Sequence, residues 1–203
     1  MKVHYMKYIY LTLLGALIAL SGCGNSPESA KQRGFELYDL QKFSESLPLL
    51  EKAFAGKIDD PELIVRLAYC RATVTGDGLT ALSILSESAK KYPNYARTYF
   101  ELGYIAHQFG AVEGQQNIRQ ALGFTRKAVE LDSTDYKMRD NLGMYFFMLG
   151  ALDSAEYWFI AAKELNQNDA KLAAKIVQIQ ELKARKVIED SLAALDTTRL
   201  KAD

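Results

Sequence analysis

Few residues in this 203-residue chain are equipped for catalysis or metal binding. The histidines are His4 and His107, and the cysteines are Cys23 and Cys70. A Ser-His-Asp or Cys-His unit would need His107 as its base, and no nucleophile elbow or oxyanion loop accompanies it in the sequence. His107 and Cys70 cannot supply the four ligands of a structural zinc site. Gly76-Asp77-Gly78 reads as a turn rather than a phosphate-cradling loop. Cys70 falls in the middle of a predicted helix, either as a small buried apolar residue or, in an oxidising compartment, as half of an intermolecular disulfide. Asp59-Asp60 precedes Pro61 at a helix start, where capping accounts for the carboxylates. The expectation is a non-enzyme with no cofactor and no metal.

Composition narrows the class further. The 25 basic and 25 acidic residues cancel, with a pI near 6.7, whereas nucleic-acid binders carry a basic excess. At 49% apolar residues the chain can fold. Lys2 and Lys7 open the chain without an acid, an apolar run extends from Tyr8 to Leu20, and small residues lead to Cys23. That order is a secretory signal: basic start, apolar centre, small cleavage site. A membrane-crossing helix would need about 20 apolar residues, more than this run supplies.

Leu20-Ser21-Gly22-Cys23 resembles the lipobox of bacterial lipoproteins. The resemblance implies a signal peptide over 1–22 and a lipidated Cys23 that carries diacylglycerol on sulfur and usually an acyl group (palmitate-type) on nitrogen. It also implies a short tether over 23–29. Gly24 at the following position, in place of an aspartate, implies anchoring at the outer membrane, facing the periplasm, where the enteric sorting rule applies. Loss of Lys2 and Lys7 leaves 23 basic against 25 acidic residues, a net charge of −2.

From residue 30 onward apolar residues recur at helical spacing, in segments separated by Gly, Pro, Asn and Asp. Small residues at Gly34, Ala68, Gly103 and Gly143 lie 34, 35 and 40 positions apart. A period near 34 in a helical chain points to a helix–turn–helix repeat. Around it the first unit has Leu37, Ser46, Leu50 and Ala53, and the second Ile64, Leu67, Ala81, Leu85, Ser88 and Pro93. The third has Tyr99, Leu102, Ala106, Ala121 and Ala128, and the fourth Leu142, Phe146, Gly150, Ala155, Phe159 and Ala162. This pattern resembles the tetratricopeptide repeat. The expected fold is all-α: a right-handed solenoid of about four repeats over 30–168, with a long C-terminal capping or extension helix over 169–203. The apolar set of that helix is Leu172, Ile176, Ile179, Leu182, Val187, Ile188, Leu192 and Leu195. Its charged second half is read as projecting beyond the repeats, with a coiled-coil or partner-binding extension as the alternative.

Pro61 follows the N-cap Asp60, and Thr75–Gly78 forms a turn. Pro48 is expected near the start of its helix, where a missing N–H costs least. The third repeat carries about six extra residues around Gly110–Gln115, as a plain insertion or as a contact loop. The family lines its concave face with the first helix of each repeat. Carried over position by position, that groove comprises Phe35, Tyr38, Arg66, Tyr69, Arg97, Tyr104, His107, Met144 and Phe147. Such an aromatic, Met-containing face suits a protein or peptide partner. The Lys/Asn carboxylate clamp of the chaperone-tail binders is not expected, because Phe35 and Glu101 stand at two of its positions. The implied function is a membrane-anchored adaptor or scaffold in envelope assembly. A glycan- or solute-binding lipoprotein of an uptake system is the alternative, against which Trp158 is the single Trp and sits on a second helix.

Overall fold

The structure is a computed structural model that describes residues 26–110 and 114–199, with side chains described to residue 194. The expected signal peptide over 1–22, Cys23 and residues 111–113 of the expected insertion or contact loop lie outside the described residues. The chain divides between Tyr92 and Pro93 into two compact units. All described secondary structure is helical.

The first unit contains α1 (Pro27–Asp39), α2 (Phe43–Ala55), α3 (Pro61–Thr75) and α4 (Gly78–Lys91). Three of these four helices start on a side-chain cap. Ser26 accepts the Ser29 N–H at 3.1 Å, and Pro27 takes the first helical position. Helix α1 therefore begins three residues before residue 30, and residues 27–29, expected as part of a tether, are helical. Asp60 accepts from the N–H groups of Glu62 and Leu63 at 2.9 and 3.4 Å, and Asp77 accepts from Thr80 N–H at 3.1 Å. Gly76 ends α3 in the left-handed region at φ 71. Pro48, expected in a first turn, is instead the sixth residue of α2. Its missing N–H leaves the Ser44 carbonyl without a helical partner. Both residues are exposed, so water can serve that carbonyl.

The second unit contains α5 (Ala96–Phe109), α6 (Gln115–Leu131), α7 (Tyr136–Met148), α8 (Leu152–Leu165) and α9 (Ala170–Arg199). Helix α6 has 17 residues where α2, α4 and α8 have 13 or 14. Part of the third repeat's excess is thus an extra helical turn rather than loop. Among the described residues no helix is long and apolar enough to cross a membrane.

Within the pairs, the small residues do the work that the repeat pattern demands. A Cβ on Gly34 would lie 2.8 Å from Leu50 Cδ2. On Gly103 it would lie 2.4 Å from Thr125 Oγ1 and 2.9 Å from the Ala121 carbonyl oxygen, and on Gly143 2.6 Å from the Phe159 ring. Absence of a side chain lets one helix backbone rest on the next, and the bulky partner fills the space beside it. Each unit buries its own core. Leu47, Leu50, Ala53, Leu63, Leu67 and Cys70 cluster in the first. In the second, Ala121, Ala128, Met138, Leu142 and Tyr145 form one cluster, and Ala155, Phe159, Ala162, Leu172 and Ile179 another. The first half of α9 covers the fourth helix pair through Leu172 and Ile179. Its second half leaves Val187, Ile188 and Leu192 exposed.

Candidate functional site

The first-unit groove residues converge. Phe35 and Tyr38 sit on α1, Arg66 and Tyr69 on α3. The Arg66 guanidinium carbon lies 4.3 Å from the Phe35 ring centre and 4.8 Å from that of Tyr38. Tyr38 and Tyr69 meet edge to face at 5.7 Å. Phe43, at the first position of α2, completes a triangle at 5.3 Å from each. Edge-to-face rings and a cation over a ring face are both favourable contacts of the aromatic quadrupole. Phe43 is not legible as a site residue in the sequence, because it lies outside the first helices. Its only signal is an aromatic directly after the Gln41-Lys42 turn.

Arg66 does not present a free cation. Its Nη1 donates to Asp39 Oδ1 at 2.6 Å and to the Phe35 carbonyl at 3.3 Å, and its Nε donates to Glu62 Oε1 at 2.5 Å. One guanidinium thus faces two carboxylates over an aromatic floor, a surface unsuited to anionic ligands. Lys31 is similarly engaged with Asp60 at 2.8 Å. Burial opposes ionisation of Asp60, but hydrogen bonds from Lys31, Glu62 and Leu63 outweigh it and hold its pKa below the usual value.

In the second unit Arg97, Tyr104 and His107 lie on α5, Met144 and Phe147 on α7, all half-buried. Of these, Tyr104 and His107 lie beside Tyr145, which the sequence pattern does not single out. Its ring meets His107 edge to face at 5.3 Å, and its hydroxyl donates to the Gly103 carbonyl at 3.4 Å. Burial raises the Tyr145 pKa, reinforced by Tyr104 and Glu101 nearby. Met144 and Phe147 pack partly against the cluster of Phe159, Leu172 and Ile179, so their inner edges are structural.

His107 accounts for little chemistry. Asn117 Nδ2 donates to its carbonyl at 3.0 Å, pinning the start of α6 to the end of α5. Its Nδ1 is buried and has no hydrogen-bond partner among the described residues. Burial lowers its pKa from 6.5. A histidine held neutral in the fold stabilises above the unfolded value and loses that contribution as pH falls toward the folded one. Thermal stability of the intact chain is therefore expected to fall below about pH 6.5, before the carboxylates titrate. His107→Leu should flatten that segment of the profile; an unchanged slope would reject the assignment. Cys70 is fully buried, its Sγ 4.0 Å from Ser46 Oγ, and burial pushes its thiol up to about 11. That is the reverse of an activated nucleophile, and burial also removes it from intermolecular pairing. Trp158 packs against the Met138–Leu142 cluster and meets Tyr157 at 5.2 Å, so it is not an open stacking platform. Among the described residues no group of three or more His, Cys, Asp or Glu could hold a metal ion.

No protein-family model and no curated protein matches the chain. Solved structures do. TTC0263, a thermophilic TPR protein in Thermus thermophilus, is similar at 21% identity, with 79% of this chain and 84% of that one covered at a TM-score of 0.67. MamA from Desulfovibrio magneticus RS-1, residues 41 to its end, is similar at 16% identity, covering 87% and 97% at 0.63. MamA AMB-1 is similar at 20%, covering 83% and 94% at 0.62. With glycines seated against bulky neighbours inside successive helix pairs, these likenesses show that the chain has the fold of tetratricopeptide-repeat proteins.

Proposed function

We propose that the chain is a non-catalytic adaptor of the bacterial envelope, anchored through lipidated Cys23 at the outer membrane and facing the periplasm, that captures a protein or peptide segment. The observation that carries the binding role is the half-buried triangle of Tyr38, Phe43 and Tyr69 beside Arg66, whose charge is already countered. Such a surface offers large, rigid apolar area at low entropic cost, and it favours an apolar or aromatic peptide segment over an anionic tail. In the second unit Tyr104 and His107 offer a comparable edge. Two or three acyl chains hold a protein at a bilayer stably, at about 0.8 kcal/mol per buried CH₂, where one chain would not. Confinement to that surface raises the effective concentration of partners there.

The test has two separable arms. Cys23→Ser should leave the protein folded but uncleaved or released from the membrane fraction; membrane association like that of the unaltered chain would reject the anchor. A photo-crosslinking residue at Tyr69 in native membranes should capture a discrete partner, and adding Tyr38→Ala with Phe43→Ala to that probe-bearing chain should reduce capture about tenfold or more. Capture that persists in the double variant with unchanged folding would reject this face.

A further inference from the structure

The last helix is in register with the repeats but is not completed as one. Met138, Leu142 and Tyr145 of α7 recur 34 positions later as Leu172, Ile176 and Ile179 of α9, buried or half-buried on α8. By the same offset Gly143 becomes Val177. In the preceding pairs the small position is covered by the next helix: Gly34 by Leu50, Gly103 by Thr125, Gly143 by Phe159. Val177 is 53% exposed, and α9 continues straight to Arg199 instead of turning back. The face where a second helix would lie is open among the described residues.

Past Glu181 that face continues as a short apolar stretch. At 100° per residue Val177, Ala184, Ile188 and Leu192 fall within an arc of about 80°, opposite the buried Leu172 and Ile179, and the exposed Glu181 lies in the same arc and separates Val177 from the Ala184–Leu192 stretch. Ile188 and Leu192 are 60% and 57% exposed. Along one edge run Arg185 and Glu189, both exposed, with no ion pair between them or to another described residue. We propose that α9 pairs antiparallel with α9 of a second copy of this chain, the two-fold axis passing at Ile188. Two features of the stripe are self-complementary about that point. Ala184 and Leu192 lie four residues to either side, so each copy sets a small residue against the other's large one. Arg185 of one copy lies about 3 Å along the axis from Glu189 of the other, within reach of a long side chain, and the pair occurs twice by symmetry. The uninterrupted apolar stretch from Ala184 to Leu192 is only about 12 Å long, so the contact belongs to the small, weak class of interface. It is independent of any partner on the aromatic faces.

The experiment is sedimentation velocity of the full chain in mild detergent. A monomer–dimer equilibrium with a Kd of about 1–100 µM is expected. Ile188→Glu with Leu192→Glu should stay monomeric with unchanged helix content, since both side chains are exposed. Arg185→Glu should weaken the dimer about tenfold, and adding Glu189→Arg should restore it. Under mild oxidation Ile188→Cys should cross-link to its own counterpart in the other copy, and Val177→Cys should not. A monomer throughout that range, a dimer indifferent to the Ile188 and Leu192 substitutions, or preferential cross-linking of Val177→Cys would each overturn the proposal.

Discussion

Gly103→Val is expected to lower the unfolding free energy by about 3 kcal/mol, the upper part of the range for overpacked interiors. What a side chain would strike there is not yielding. The nearest atoms are the hydroxyl of Thr125, itself fully buried, and the backbone carbonyl of Ala121. Neither can move into solvent, so α5 and α6 must separate. The Gly103 carbonyl also accepts the Tyr145 hydroxyl, so separation loosens α7 as well. Gly123 in the same helix pair provides the control. It is exposed in the middle of α6, and a Cβ there meets nothing within 4 Å. Gly123→Ala should stabilise by about 0.5–1 kcal/mol through helix propensity alone. Urea midpoints moving in opposite directions for the two substitutions is the expected result. A neutral Gly103→Val would mean that α5 and α6 are not closely seated.

Phe159→Ala carries the largest expected loss, about 3–5 kcal/mol. The ring is 2% exposed and lies against Gly143, while its cluster includes Leu172 and Ile179 of α9. One side chain therefore joins three helices. Lys175 sits 5.2 Å from the ring centre but also pairs with Asp140 at 2.6 Å, so its ion pair survives truncation and the loss is one of packing. Hydrogen exchange should show α9 amides around Leu172–Ile179 losing protection more than those of α6. Phe159→Leu, which keeps most of the volume, should cost about 1–2 kcal/mol. Equal protection loss in α6 and α9 would show that α9 is not held chiefly through this ring.

Much of this arrangement is legible in the residues because it depends on short-range rules. Asp60-Pro61 and Thr75–Gly78 specify a cap, a stop and a restart from local hydrogen bonding alone. The 34-residue recurrence of a small residue between bulky ones needs no distant information, since each helix pair is built by its own segment. Ser26-Pro27 carries an equally local start signal that the repeat pattern, anchored on Gly34, overruns. Pro48 is misplaced by pattern alone because the boundary at Phe43 has no side-chain cap to mark it.

The aromatic faces are readable only as far as the repeat register extends. It names Phe35, Tyr38, Arg66 and Tyr69 as neighbours on one face. It does not say that Arg66 is drawn onto Asp39 and Glu62, because Asp39 lies 27 residues away and the meeting requires α1 and α3 to be placed. Nor can it name Phe43, which enters from a helix start, or Tyr145, whose role as the ring between His107 and Gly103 depends on α5 and α7 being side by side.

The amino-acid pattern alone therefore establishes the helical class, the repeat period, the small residues that close seating requires and the poverty of catalytic groups. All of these follow from spacing along one helix or between two adjacent ones. Folding in three dimensions settles which charges are already consumed, which rings face one another, and that Val177 and Ile188 stay uncovered on a helix whose register asks for a neighbour. Those are outcomes of competition between groups far apart in the chain, and spacing does not encode who wins it.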